Sequence, residues 1–107
     1  MVTNEEKETL IKEVMENYPE YSSGNCLHCT KWNYKKCEYF FHDQEENETV
    51  NVTLDSLKIG FDKLFADVIK GKIHIFDTGA IMDGGNWDST AVDALVQYAL
   101  FGELKYG

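Results

Sequence analysis

Cys26, Cys29, Cys37 and His42 follow the pattern Cys-x2-Cys-x7-Cys-x4-His and gather every cysteine of the chain into one segment. Zinc takes about four thiolate or imidazole donors in a tetrahedron, and a Cys-x-x-Cys pair supplies two of them readily. Cys37 and His42 would complete the set, with His28 as a spare imidazole. The spacing also argues the other way. His42 stands five positions after Cys37, and on a regular strand an odd separation sends two side chains to opposite faces. A bulge would restore convergence, but nothing in the segment demands one. A redox Cys-x-x-Cys normally opens a helix after a strand, whereas this one comes after a polar loop. An odd cysteine count does not suit a disulfide framework. The expectation is therefore reduced cysteines with no cofactor, and zinc at these four residues is the alternative.

Two other stretches invite chemistry. "IHIFDTGA" resembles the active-site signature of retroviral-type aspartic proteases, but the match covers only Ile75 to Ala80. That family continues into a long β-rich segment, whereas most of the chain after Asp77 reads as helix. A strand ending in a turn is the simpler reading. "DGGNWD" (83–88) sets paired glycines before a helix start, where exposed amides could hold an anion. Asp83 and Asp88 oppose that, so a tight turn with Asn86 as N-cap is expected. No Ser–His–Asp arrangement or phosphate-binding lysine loop is present, and no enzymatic activity is expected. Trp87, Asp83, Asp88, Asp93 and Gln97 are instead the candidate partner-binding residues.

The secondary structure bearing these groups is legible in outline. Thr3 with Glu6 forms a capping box opening a helix over 4–17, with Leu10, Ile11, Val14, Met15 and Tyr18 on its apolar stripe. Residues 19–36 read as a loop. "CEYFFHD" (37–43) and "ETVNVT" (48–53) read as a hairpin turning at "QEEN". Thr53 caps a helix over 54–70, closed by Gly71, with Lys58–Asp62 and Lys63–Asp67 as pairs on its outer face. "KIHIFD" (72–77) reads as a third strand. The last helix, Trp87 to Phe101, is apolar around most of its circumference except for a polar stripe of Thr90, Asp93 and Gln97. The whole predicts one α+β domain over 1–107: a small, mainly antiparallel three-stranded sheet packed on helices. The expected element order is αββαβα, with sheet order 2-1-3.

Composition narrows the function. The 107 residues carry a net charge of −9 and contain no arginine, so an acidic body lacks the planar donor that best reads phosphate and bases. Residues 1–20 hold six Glu against two Lys. No apolar run approaches the ~20 residues of a membrane span, and the acidic start does not read as a secretory leader. A cytoplasmic protein that binds a partner with a basic surface is expected, with membrane excluded and nucleic acid disfavoured. The rival is a small zinc-binding domain contacting nucleic acid through 26–42, where Trp32 and Tyr34 would stack on bases beside three lysines. "NWDSTAVDALVQYALFGELKYG", with "VTLDSLKIGFDKLF" before it, is similar to the end of small uncharacterised accessory proteins of phages and integrated mobile elements of Gram-positive bacteria. That resemblance spans roughly residues 50–107. It implies an accessory role in a bacterial cytoplasm and supplies no activity or site residues.

Overall fold

The structure, a computed structural model, describes residues 3–16, 27–73, 87 and 89–104. Helix α1 runs Asn4–Met15, strands β1, β2 and β3 run Leu27–Asn33, Glu38–Asp43 and Glu48–Val52, and helices α2 and α3 run Leu54–Ile69 and Ser89–Phe101. The fold is α+β, with a three-stranded antiparallel sheet packed on helices. The sheet is a meander in the order β1-β2-β3. Two details of the expected order are thereby corrected. The segment read as a loop contains β1, and the described strands are consecutive in the chain. Of the expected strand at 72–77, Lys72 and Ile73 are not in a strand and the remainder lies outside the described residues.

β1 escaped its pattern because of a bulge. Cys29 pairs with Phe41 and Lys31 with Phe40, so Thr30 is the extra residue. Before it, Leu27 and Cys29 point inward; after it, Trp32 shares the side of Tyr39, and the period-2 alternation breaks. The sheet's inner face, Leu27, Cys29, Tyr39, Phe41 and Val52, joins one core with the helices.

Both sheet turns share the same plan. Asn33 Oδ1 accepts from Lys36 N (3.2 Å), and Asp43 Oδ1 accepts from Glu45 N (3.0 Å) and Glu46 N (3.2 Å). Each four-residue turn then ends on a left-handed residue, Cys37 (φ 52°) or Asn47 (φ 51°). Asparagine tolerates that conformation, whereas cysteine is strained there. Cys37 is held by burial, being 1% exposed.

The helix ends were legible. Thr3 and Glu6 make the capping box on α1, and Thr53 makes one with Ser56 on α2. Gly71 (φ 75°) closes α2 in a Schellman motif, Lys72 N donating to Asp67 O (2.9 Å) and Gly71 N to Val68 O (3.1 Å). Charged pairs differ from expectation. Lys58 binds Glu8 (2.8 Å) and Asp62 binds Lys7 (2.7 Å), tying α2 to α1, while Asp67 accepts from the Tyr98 hydroxyl (2.6 Å).

α3 is the central packing element, as its sequence implied. Ala91, Val92 and Ala94 to Tyr98 are all buried. Its polar stripe is not a solvated edge: Gln97 is 1% exposed and its Nε2 donates to Asp93 Oδ2 at 2.7 Å. α2 meets α3 at Gly60, where a Cβ would lie 2.5 Å from Ala99 N and 2.7 Å from its Cα. Phe61 stacks on Trp87, centroids 6.2 Å apart.

Gly60→Ala should therefore destabilise the protein by about 1–3 kcal/mol in denaturant melts, because overpacking against backbone outweighs alanine's helix propensity advantage of ~1 kcal/mol. Leu95→Ala, at a fully buried position, should cost about 2–5 kcal/mol, whereas exposed Thr90→Ala should stay within about 0.5 kcal/mol of the parent.

Candidate functional site

α1 divides its circumference sharply. Leu10, Ile11, Val14 and Met15 enter the core, Lys7 and Glu8 bridge to α2, and Glu5, Glu6, Glu13 and Glu16 remain exposed. The N-terminal half borders a depression of about 410 Å³ lined by Glu5, Glu6, Thr9, Leu10 and Glu13. The C-terminal half borders a second, of about 350 Å³, lined by Lys12, Glu13, Glu16, Tyr34 and Tyr39. Glu13 belongs to both, so one strip of four glutamates runs the length of the helix. Glu6 is held below the usual carboxylate range by hydrogen bonds from Thr3. Such a strip attracts cations and complements a basic surface.

An aromatic series closes the far end. Trp32 and Tyr34, 43% and 46% exposed, lie 6.2 Å apart by ring centroid, and Tyr34 meets Tyr39 edge-on at 6.4 Å. Tyr39 is buried, and its hydroxyl donates to the Met15 carbonyl at 3.2 Å, which satisfies a carbonyl at the end of α1. Burial, and then the nearby ionisable groups of Cys37, Tyr34, Cys29 and Glu16, push its phenol upward.

The sequence-predicted site residues are dispersed. Cys29 and Cys37 are buried on the inner side of the sheet. His42 alternates with inward-facing Phe41 and Asp43, so it lies on the outer face, opposite His28 of β1. The bulge that could have brought Cys37 and His42 together lies in β1, and the odd separation keeps them apart. Among the described residues, no group of three or more His, Cys, Asp or Glu is placed to hold a metal. Cys26, Asp83 and Asp88 lie outside the described residues, as does the Asp77 turn. Trp87 and Gln97 are core residues and Asp93 is half-buried, so none of the three offers a free surface group. The α1 strip was not singled out from sequence. Its signal was present in the six glutamates of residues 1–20 and in the helical spacing of Glu5, Thr9, Glu13 and Glu16.

No helix of the described residues is long and apolar enough to cross a membrane. No family model, curated protein or solved structure matches the chain.

The buried thiols and phenols impose a pH limit. Burial pushes the Cys29 thiol from 9.0 to about 11 and raises Cys37 in the same direction. Burial and the hydrogen bond to Asp67 push Tyr98 from 10.0 to about 12. A folded-state pKa above the unfolded value means that the neutral group favours folding. The contribution is complete below pH 9 and is lost as pH rises from about 9 to 11, at about 3 kcal/mol for Cys29. Denaturant melts across this range should show stability falling steadily above pH 9. Cys29→Ser should reduce that alkaline slope.

Proposed function

We propose that the chain is a non-enzymatic, acidic protein-binding module that docks the outer face of α1 onto a basic surface of a partner protein. The role is that of a cytoplasmic accessory protein that blocks or adapts a host protein, as the resemblance to mobile-element proteins implies. The carrying observation is the glutamate strip of Glu5, Glu6, Glu13 and Glu16, left exposed on a helix whose opposite face is committed to the core. The strip suits lysine- and arginine-rich surfaces, and exposed Trp32 and Tyr34 at its end provide aromatic anchor area.

A second reading is favoured by the same aromatic end. Trp32 and Tyr34 stand exposed beside exposed Lys31, Lys35 and Lys36, an arrangement able to stack on single-stranded nucleic acid as part of a small zinc-binding domain. The net charge of −9 weighs against it.

The chain used as bait in a bacterial extract should retain a basic protein, identified by mass spectrometry. With that partner purified, the combined Glu5→Gln, Glu13→Gln and Glu16→Gln variant should bind about tenfold or more weakly at low salt, and added salt should weaken the parent likewise. The fold should survive, because these positions are exposed. Undiminished partner binding by the variant would refute the α1 surface. Fluorescence quenching by a single-stranded oligonucleotide, abolished in Trp32→Ala, would favour the second reading.

A further inference from the structure

We propose that His28 and His42 form a two-imidazole site for a borderline divalent transition metal of the nickel, copper and zinc group, on the outer face of the sheet. The two residues are direct partners in the antiparallel register of β1 and β2. Directly opposed residues hold their Cβ atoms roughly 4.5–5.5 Å apart, which lets two imidazoles converge on one ion at metal–nitrogen distances of about 2.0–2.1 Å.

The backbone beneath the pair is firmly placed. Leu27, Cys29 and Phe41, the flanking residues of the same strands, are 1%, 5% and 0% exposed on the inner face. Strand parity then turns both histidines outward together. Each is half-buried, so fewer rotamers must be given up on binding. Among the described residues, no hydrogen bond or ion pair engages either imidazole.

The neighbours define the metal class. Thr49 is paired with His42 across β2 and β3 and offers a hydroxyl to a metal-bound water. The nearby strand carboxylates, Asp43 and Glu48, pair with each other and share the inward parity of Leu27, away from the histidines. The donors are thus imidazole nitrogens, which suit nickel, copper and zinc and disfavour magnesium and calcium. Two protein ligands leave open positions for water or for a donor from another molecule. Of the described cysteines, Cys29 and Cys37 lie on the other side of the sheet and take no part in the site. It is also independent of the α1 strip.

The test is titration of the full chain with Ni²⁺ alone, read by calorimetry and absorption. One ion should bind per chain without thiolate-to-nickel charge transfer, and His28→Ala and His42→Ala should each weaken binding about tenfold or more. No binding, a charge-transfer band, or parental affinity in either variant would overturn the site. A readout on the unsubstituted chain avoids reliance on variants. Substoichiometric paramagnetic Ni²⁺ should broaden the imidazole resonances of His28 and His42 before those of His74. Broadening of His74 first, or of all three equally, would also overturn it.

Discussion

The approach of α2 to α3 at Gly60 is the contact from which the remaining packing is built. A side chain there would collide with the backbone of Ala99, so only a residue without Cβ lets the two helices come so close. That approach sets the partners along the same seam. Phe61 reaches Trp87, and the Tyr98 hydroxyl reaches Asp67. It also explains why a helix as apolar as α3 is stable here, since nearly its whole circumference is removed from water. α2 holds α1 on its other side through the Lys58–Glu8 and Lys7–Asp62 bridges. With one face of α1 committed in this way, Glu5, Glu6, Glu13 and Glu16 are left on its exposed face.

The 27–43 segment distributes its chemistry across the sheet. The bulge at Thr30 reverses strand parity within β1, so Cys29 and Trp32 share the inner side although three positions separate them. Asn33 and Asp43 start the two turns, and left-handed Cys37 and Asn47 complete them. The result is a division by face. The thiols of Cys29 and Cys37 lie inside, where burial keeps them protonated, and the imidazoles of His28 and His42 lie outside as neighbours. Cys29 and Cys37 are thereby separated from His42 by the thickness of the sheet.

Charge is divided in a comparable way. The helix-local pairs expected on α2 are replaced by bridges between helices, because Glu8 and Lys7 come within reach only when α1 packs against α2. Such exposed bridges contribute little stability individually, about 0–1 kcal/mol, and serve more to orient the helices. Outside these bridges α1 still presents Glu5, Glu6, Glu13 and Glu16 along one exposed face, where binding a cationic surface would neutralise them.

The α+β class, the capped ends of α1 and α2, the β2–β3 hairpin and the central place of α3 were all legible in the order of residues. Each of these rests on interactions within a few residues, such as Thr3 with Glu6 or Gly71 with Val68, or on an apolar pattern that has one stable outcome. The remaining features required the folded chain. β1 was hidden because its bulge breaks the alternation that identifies a strand, and its pairing to β2 supplies what its own pattern lacks. Gln97 and Asp93 read as a polar edge, yet they are drawn inward and paired because α3 is enclosed. His28 and His42 stand fourteen positions apart in the chain and become neighbours only through strand register, a long-range hydrogen-bond pattern that no local spacing encodes.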